Sequence, residues 1–369
     1  MIIGCPKEVK TKEFRVGLVP GGVRSLVQDG HRVLVEKSAG EGAGITDQMY
    51  KDAGASVVST KEVWEKSNVI IKVKEPIPQE FGYLREDQLL YTFLHLAAAP
   101  ELTKELVKKK VTSIGYETVQ TADSQLPLLR PMSEIAGRIA TQIGAYYLQK
   151  YAGGKGVLLG GAAGVFRGKV GIIGGGVAGT NAAKVAVGLG ADVTILDVNL
   201  DRLEYLDHIF GNKISTLYSN PTNLKHVVAK SDLLVGAVLI PGAKAPHLVT
   251  EEDVQTMEPG SVVVDISIDQ GGCIETIRPT SHEEPVYTVH GVLHYGVTNM
   301  PGAVSRTSTY ALTNVTFHYL KKLASVGLNR AITADEALAR GVNTHKGFVC
   351  CEPVAQALGY EYIPLKKLM

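Results

Sequence analysis

The sequence predicts an α/β protein of two domains with mostly parallel sheets, joined by two long helices. Three observations predict it. The 369 residues suit two domains at roughly 150 residues each. Short apolar runs alternate with amphipathic stretches, the pattern of parallel strands covered by helices. Glycine is abundant, 40 residues with no Gly-X-Y period, which provides for many tight turns. Hydrophobic residues at 45% and charged residues at 20% exclude a disordered or collagenous chain.

Strands are expected in the first part at 2–5, 33–36, 56–59, 69–73, 89–93 and 112–115. Helical patterns fall between them at 21–28, 47–52, 61–66 and 100–109, with Pro100 suited to a first turn. Residues 132–150 read as one long helix, with Ile135, Ile139, Ile143, Tyr146 and Tyr147 at helical spacing and Ser133 as N-cap. A second α/β unit has strands at 170–173, 193–196, 214–218, 233–238, 261–266 and about 289–295. A second long helix at 303–324 returns the chain to the first domain, on which the tail packs. The expected domains are 1–127 with 306–369, and 128–305.

Function classes narrow with charge and cysteine. Lys and Arg total 38 and Asp and Glu 37, so no basic face for nucleic acid is expected. One Trp and seven Phe leave few stacking platforms. Cys5, Cys273, Cys350 and Cys351 include no Cys-x-x-Cys pair, which argues against a disulfide framework or zinc site and for a reducing compartment. The first residues, MIIGCPKEVKTKEFR, lack the apolar core of a signal peptide, and residues 156–164 are too short a low-charge stretch to span a membrane. The expectation is a cytoplasmic protein with no membrane partner and no bound metal.

The chemistry-bearing motif is KVGIIGGGVAG, where Gly174, Gly176 and Gly179 form Gly-x-Gly-x-x-Gly. An apolar strand precedes it, a helix follows, and a second strand ends in Asp197, 18 residues after Gly179. In this Rossmann arrangement Gly174 permits the tight turn, Gly176 the approach of a pyrophosphate, and Gly179 close helix–strand packing. The helix N-terminus favours phosphate. Asp197 accepts from ribose hydroxyls and repels a 2′-phosphate, which favours NAD; Arg202 is the nearby group that accommodates such a phosphate.

Ligands of open parallel sheets bind at strand carboxyl ends. There the sequence places Lys74, His95, Tyr116 with Glu117, Ser219 and Asp269. A cation, a histidine and a carboxylate are the parts a dehydrogenase needs in a cleft between its domains. Each also has a structural reading: His95 as a core histidine, Asp269 as a turn former, and Arg15 as a surface residue rather than a fork for a substrate carboxylate. His290 and His294 fall in a strand pattern that argues against metal ligation.

Eight segments in this order, GCPKEVKTKEFRVGLVP, VKEP, FLHLA, PMSEIAGR, GIIGGGVAGTNAAKVAVGLGADVTILD, VLIPGAKAP, DISIDQGG and YGVTNMPGAVSRTST, resemble the alanine dehydrogenase family, which is shared with the NAD-binding subunit of proton-translocating transhydrogenase. The resemblance spans nearly the whole chain, with a local departure at Phe166-Arg167-Gly168. It implies reversible NAD-dependent deamination of L-alanine to pyruvate and ammonia. It implies that Arg15 and Lys74 bind substrate and that His95 and Asp269 are the catalytic pair. It further implies that Ser133, Val177, Ala178, Asp197, Arg202, Ser219, Val238, Leu239, Ile266, Ser267, Ile268, Asp269, Val297, Thr298, Asn299 and Met300 hold the dinucleotide, and that the chain forms a homo-oligomer, a hexamer. The transhydrogenase subunit and a lysine or saccharopine-type dehydrogenase are the alternatives; the joint presence of Arg15, Lys74, His95 and Asp269 favours alanine dehydrogenase.

Overall fold

A computed structural model describes residues 1–238 and 245–369. Its strands are β1 (Ile2–Cys5), β2 (Arg32–Glu36), β3 (Ser56–Val58), β4 (Val69–Ile71), β5 (Leu89–Thr92), β6 (Thr112–Gly115), β7 (Lys169–Ile173), β8 (Asp192–Asp197), β9 (Ser215–Tyr218), β10 (Leu233–Gly236), β11 (Val262–Asp265), β12 (Val286–Val289), β13 (Val292–Tyr295), β14 (Val342–His345) and β15 (Phe348–Val349). Two compact units emerge, Met1–Met132 with Val304–Met369, and Ser133–Ala303. Residues 128–132 and 304–305 thus go with the first unit, whereas the sequence pattern assigns them to the second.

The first unit has an eight-stranded sheet in the order β15-β14-β6-β5-β4-β1-β2-β3. From β6 to β3 all pairs are parallel. The tail adds β14, antiparallel to β6, and β15, antiparallel to β14, at one edge. Both were missed in the sequence, because β15 has two residues and β14, Val-Asn-Thr-His, is largely polar. Two of its polar side chains pair with β6: the Ser113 and Thr344 hydroxyls meet at 2.7 Å, and Thr112 Oγ1 and His345 Nδ1 at 2.9 Å. One face buries Trp64, Ile70, Leu90, Leu102 and Leu106. On β5 the neighbouring Tyr91 instead donates its hydroxyl to the Thr316 carbonyl of the helix Ser305–Val326.

The second unit has a seven-stranded sheet, β12-β13-β11-β10-β7-β8-β9, parallel except for the β12–β13 hairpin. Its central strands β10 and β11 read as continuous apolar runs because both faces are buried. Leu233 and Val235 enter one core while Leu234 enters the other, and Val262 and Val264 likewise oppose Val263. The single strand expected at 289–295 is in fact the hairpin turn and one arm. His290 (φ 50°) and Gly291 (φ 77°) are left-handed, which reverses the chain between β12 and β13.

The long helix begins at Arg130 and ends at Tyr147. Ser133 therefore lies in its first turn and is not the N-cap that the sequence suggested; Pro131 is tolerated there because a first-turn N–H has no helical partner.

Candidate active site

In the second unit, the turn after β7 has the geometry that a dinucleotide requires. Gly174 is left-handed at φ 97°, which favours glycine. A Cβ on Gly179 would stand 1.8 Å from the Gly174 carbonyl, so helix and turn touch only because it is absent. A Cβ on Gly176 would meet nothing within 4 Å. Gly176 is thus the open side of the turn, where a ligand would approach. It is also the N-cap of the helix Val177–Gly188, and no side chain caps that end. The first-turn groups at Val177, Ala178 and Gly179 remain to meet phosphate.

Asp197 ends the neighbouring strand β8. Its Oδ2 accepts from the Gly175 N–H at 2.7 Å and its Oδ1 from the Asn199 N–H at 2.9 Å. Each oxygen keeps lone pairs for ribose hydroxyls. Arg202 crosses the turn: Nε donates to the Gly175 carbonyl at 2.6 Å and Nη2 to the Thr180 hydroxyl at 2.6 Å. Its guanidinium lies 4.7 Å from the Tyr205 ring centre. Ser219 follows β9, and its N–H donates to the Asp197 carbonyl at 2.9 Å. Asp197, Arg202 and Ser219 therefore meet around the glycine turn.

The turn Ile266–Gln270 follows β11. Asp265, fully buried, closes it by accepting from the N–H groups of Ser267 at 2.8 Å, Cys273 at 2.7 Å and Ile274 at 3.2 Å. Burial pushes the Asp265 carboxyl above its ordinary pKa despite those donors. The Val238 N–H donates to the Ser267 hydroxyl at 2.9 Å, which joins these two candidates. Asp269 projects exposed from the turn, while Ile266 is half-buried and Ile268 packs in the core. Val297 and Met300 are also core residues, so only their backbone groups are on offer to a ligand; Thr298 is exposed and Asn299 half-buried. Leu239 lies outside the described residues.

In the first unit, Arg15 is buried, not the surface residue of its bland reading. Glu13 grips it by two bonds, Nε to Oε1 at 2.7 Å and Nη2 to Oε2 at 2.6 Å. Its Nη1 faces Met132 Sδ at 3.1 Å. Such a bidentate pair fixes the plane of the fork. Lys74 is half-buried beyond β4. Two residues earlier, Lys72 is fully buried between Glu80 at 2.8 Å and Glu8 at 3.2 Å. Burial alone would lower its pKa; the two carboxylates outweigh burial and hold it above the ordinary value. Glu8 also accepts from the Val73 N–H at 2.6 Å, which ties down the strand end that carries Lys74.

His95 is exposed, not the core histidine of its structural reading. Its backbone is left-handed at φ 48°, ψ 40°. The Phe93 ring lies parallel to its imidazole, with centres 5.8 Å apart. Sequence reasoning marked Glu117 by its strand-end position but gave it no role; its carboxylate receives the His95 N–H at 2.7 Å. Glu13, Lys72 and Asp265 were missed. Lys72 had a signal, a charge inside the apolar run VIIKV; Glu13 pairs with Arg15 two residues on, which no periodicity marks, and Asp265 is satisfied by backbone N–H groups.

Among the described residues no cluster of His, Cys, Asp or Glu could hold a metal. His290 bonds Glu251 at 2.6 Å and His294 bonds Thr276 at 2.8 Å, so the two histidines serve different partners.

Residues 4–136 match the N-terminal domain of alanine dehydrogenase/PNT, and residues 140–352 its C-terminal domain. This chain belongs to the alanine dehydrogenase/PNT family. It is 58% identical to the alanine dehydrogenase of Bacillus subtilis strain 168, over 100% of this chain and 98% of that one. A solved L-alanine dehydrogenase superposes with a TM-score of 0.95 at 53% identity, covering 97% of this chain and 99% of that one. A transhydrogenase from Sinorhizobium meliloti superposes with a TM-score of 0.84 at 28% identity, over 95% of this chain and 100% of that one. Family membership and the glycine turn together imply a nicotinamide nucleotide as cofactor.

Proposed function

We propose that this family member is an NAD-dependent alanine dehydrogenase that interconverts L-alanine with pyruvate and ammonia. The full-length likeness to alanine dehydrogenases carries the reading. Choice of NAD is supported by Asp197, whose carboxylate stands beside the glycine turn, and by Arg202, which is engaged with that turn.

The second unit holds the nucleotide through the turn at Gly174 to Gly179, Asp197 and the strand-end residues described above. Bound NAD supplies the hydride acceptor. Arg15, aligned by Glu13, pairs with the substrate carboxylate, and Lys74 adds a second cation. This orientation makes hydride departure from the α-carbon an effectively unimolecular step. The product is an iminium. His95 takes a proton from the water that adds to it, then returns a proton as the carbinolamine collapses to pyruvate and ammonia. Asp269 orients the groups around that proton.

Assembly as a homo-oligomer is supported by apolar side chains left exposed on the second unit, Phe166 at 97%, Tyr151 at 81% and Leu158 at 71%, while the hexameric number rests on the family resemblance alone. Light scattering reads this as a mass near six times 39.4 kDa. Among the described residues no helix is long and apolar enough to cross a membrane. The four cysteines are unpaired, which suits the cytoplasm.

The deciding experiment incubates the purified chain with NAD and a panel of amino acids and follows NADH absorbance. L-Alanine should give the highest kcat/KM with no membrane protein present. Nucleotide binding with no turnover of any amino acid would return the transhydrogenase-subunit reading, and a preference for lysine would overturn the substrate.

A further inference from the structure

We propose that Glu117 is the positioning residue for His95, which the proposed function makes the acid–base group. The inference starts from an outlier. His95 is a non-glycine residue in the left-handed region, a conformation that persists only where its surroundings impose it.

The imposing group is the Glu117 carboxylate. Its Oε1 accepts from the His95 N–H at 2.7 Å, and both its oxygens lie 3.2 Å from the Leu94 N–H. Two successive backbone donors converging on one anion form an anion-holding concavity. The sheet register explains the reach. Thr92 of β5 lies opposite Gly115 of β6, so Glu117, two residues beyond, stands level with Leu94. Gly115 is crowded there, since a Cβ would lie 2.9 Å from Asn343 Nδ2 and from Thr118 Oγ1 and 3.2 Å from Glu117 Oε1. On the other side Leu94 is buried in the core and anchors the turn. The carboxylate acts on the backbone, which fixes where the Cα–Cβ bond of His95 points, and the imidazole itself stays exposed for substrate.

A double-mutant cycle tests this. Glu117→Ala should lower kcat about 10²-fold, the cost of a misplaced reacting group, with KM for pyruvate changed by less than about threefold. Glu117→Gln keeps a carbonyl oxygen for the His95 N–H and should recover kcat to within about tenfold of the unaltered enzyme. In a His95→Ala background, Glu117→Ala should cost less than about threefold, since it has nothing left to position. NADH fluorescence titration and thermal unfolding show that each variant is folded. Should Glu117→Ala fail to fold, Glu117→Asp, whose carboxylate is one methylene short of the turn, takes its place in the cycle. An unchanged kcat in Glu117→Ala, or an equal loss with and without His95, overturns the proposal alone. An unchanged kcat in His95→Ala overturns the reading of His95, and the proposal with it.

Discussion

The turn that carries His95 and the turn that carries Asp269 follow parallel strands in different units, and they are held in different ways. His95 is restrained from outside: the carboxylate of Glu117 arrives from beyond the neighbouring strand β6 and takes the turn's N–H groups. Asp269 stands on a turn closed from within, because Asp265 ends the same strand and folds over its own continuation. The glycine turn of the second unit follows the first scheme, with Asp197 of the neighbouring β8 accepting from Gly175. Parallel strands explain the recurrence. Their carboxyl ends lie side by side, so an acidic residue just past one strand is within reach of free N–H groups past the next. A carboxylate from a neighbour can hold a turn in a strained shape, as at His95. A buried carboxylate from the same strand gives a relaxed turn that ends in glycine, here Gly271 at φ 96°.

Removal of the side chains on these turns gives the largest effects. His95→Ala should lower kcat by about 10²–10⁴-fold in both directions, the worth of a positioned acid–base group. NADH and pyruvate should still bind, as read by fluorescence titration and KM. If turnover survived, the strained turn would serve the fold alone, and the contrast with Asp269 would lose its catalytic meaning.

The next effect is on the glycine turn, where a carboxylate both restrains backbone and faces ligand. The unaltered enzyme should prefer NAD to NADP by at least about a hundredfold in kcat/KM, roughly 2.7 kcal/mol. Asp197→Ser removes the charge that repels a 2′-phosphate and should narrow the gap, chiefly through a gain with NADP. Steady-state kinetics with both nucleotides measures it. Equal use of both by the unaltered enzyme would mean that Asp197 only holds Gly175.

These contrasts were half legible in the sequence. The parallel sheets, the fingerprint glycines and Asp197 were readable, because each rests on local spacing. Strand ends also pointed to Lys74, His95 and Asp269. The carboxylates that hold Arg15 and the Asp269 turn were not readable, and Glu117 stood at a strand end with no role attached. Glu13, Glu117 and Asp265 act through backbone N–H groups or a partner's side chain, and such bonds leave no periodic trace. The exposure of His95 was hidden for a related reason: FLHLA looks like a core run, yet its histidine stands exposed on a left-handed backbone. The edge strands β14 and β15 escaped because a polar strand paid for by internal hydrogen bonds does not read as apolar.

The smallest effect concerns Asp265, and its sign separates two causes. Burial holds this carboxyl above its ordinary 3.8, while three backbone N–H groups pull the other way. A raised folded value means that the folded chain holds the proton more tightly than the unfolded one. The stability that Asp265 contributes is then complete below the ordinary value, and it is lost as pH rises through the raised value. Asp265→Asn removes that titration but leaves an amide NH₂ facing backbone donors, at a cost of about 1–3 kcal/mol for the group left unsatisfied. The gap in unfolding free energy between the unaltered chain and Asp265→Asn should therefore be widest below the ordinary value of 3.8 and shrink as pH rises towards neutrality. Urea unfolding at several pH values reads it directly. A gap that widened with pH would show that the N–H groups outweigh burial, and that the self-closed turn is held by charge as the His95 turn is.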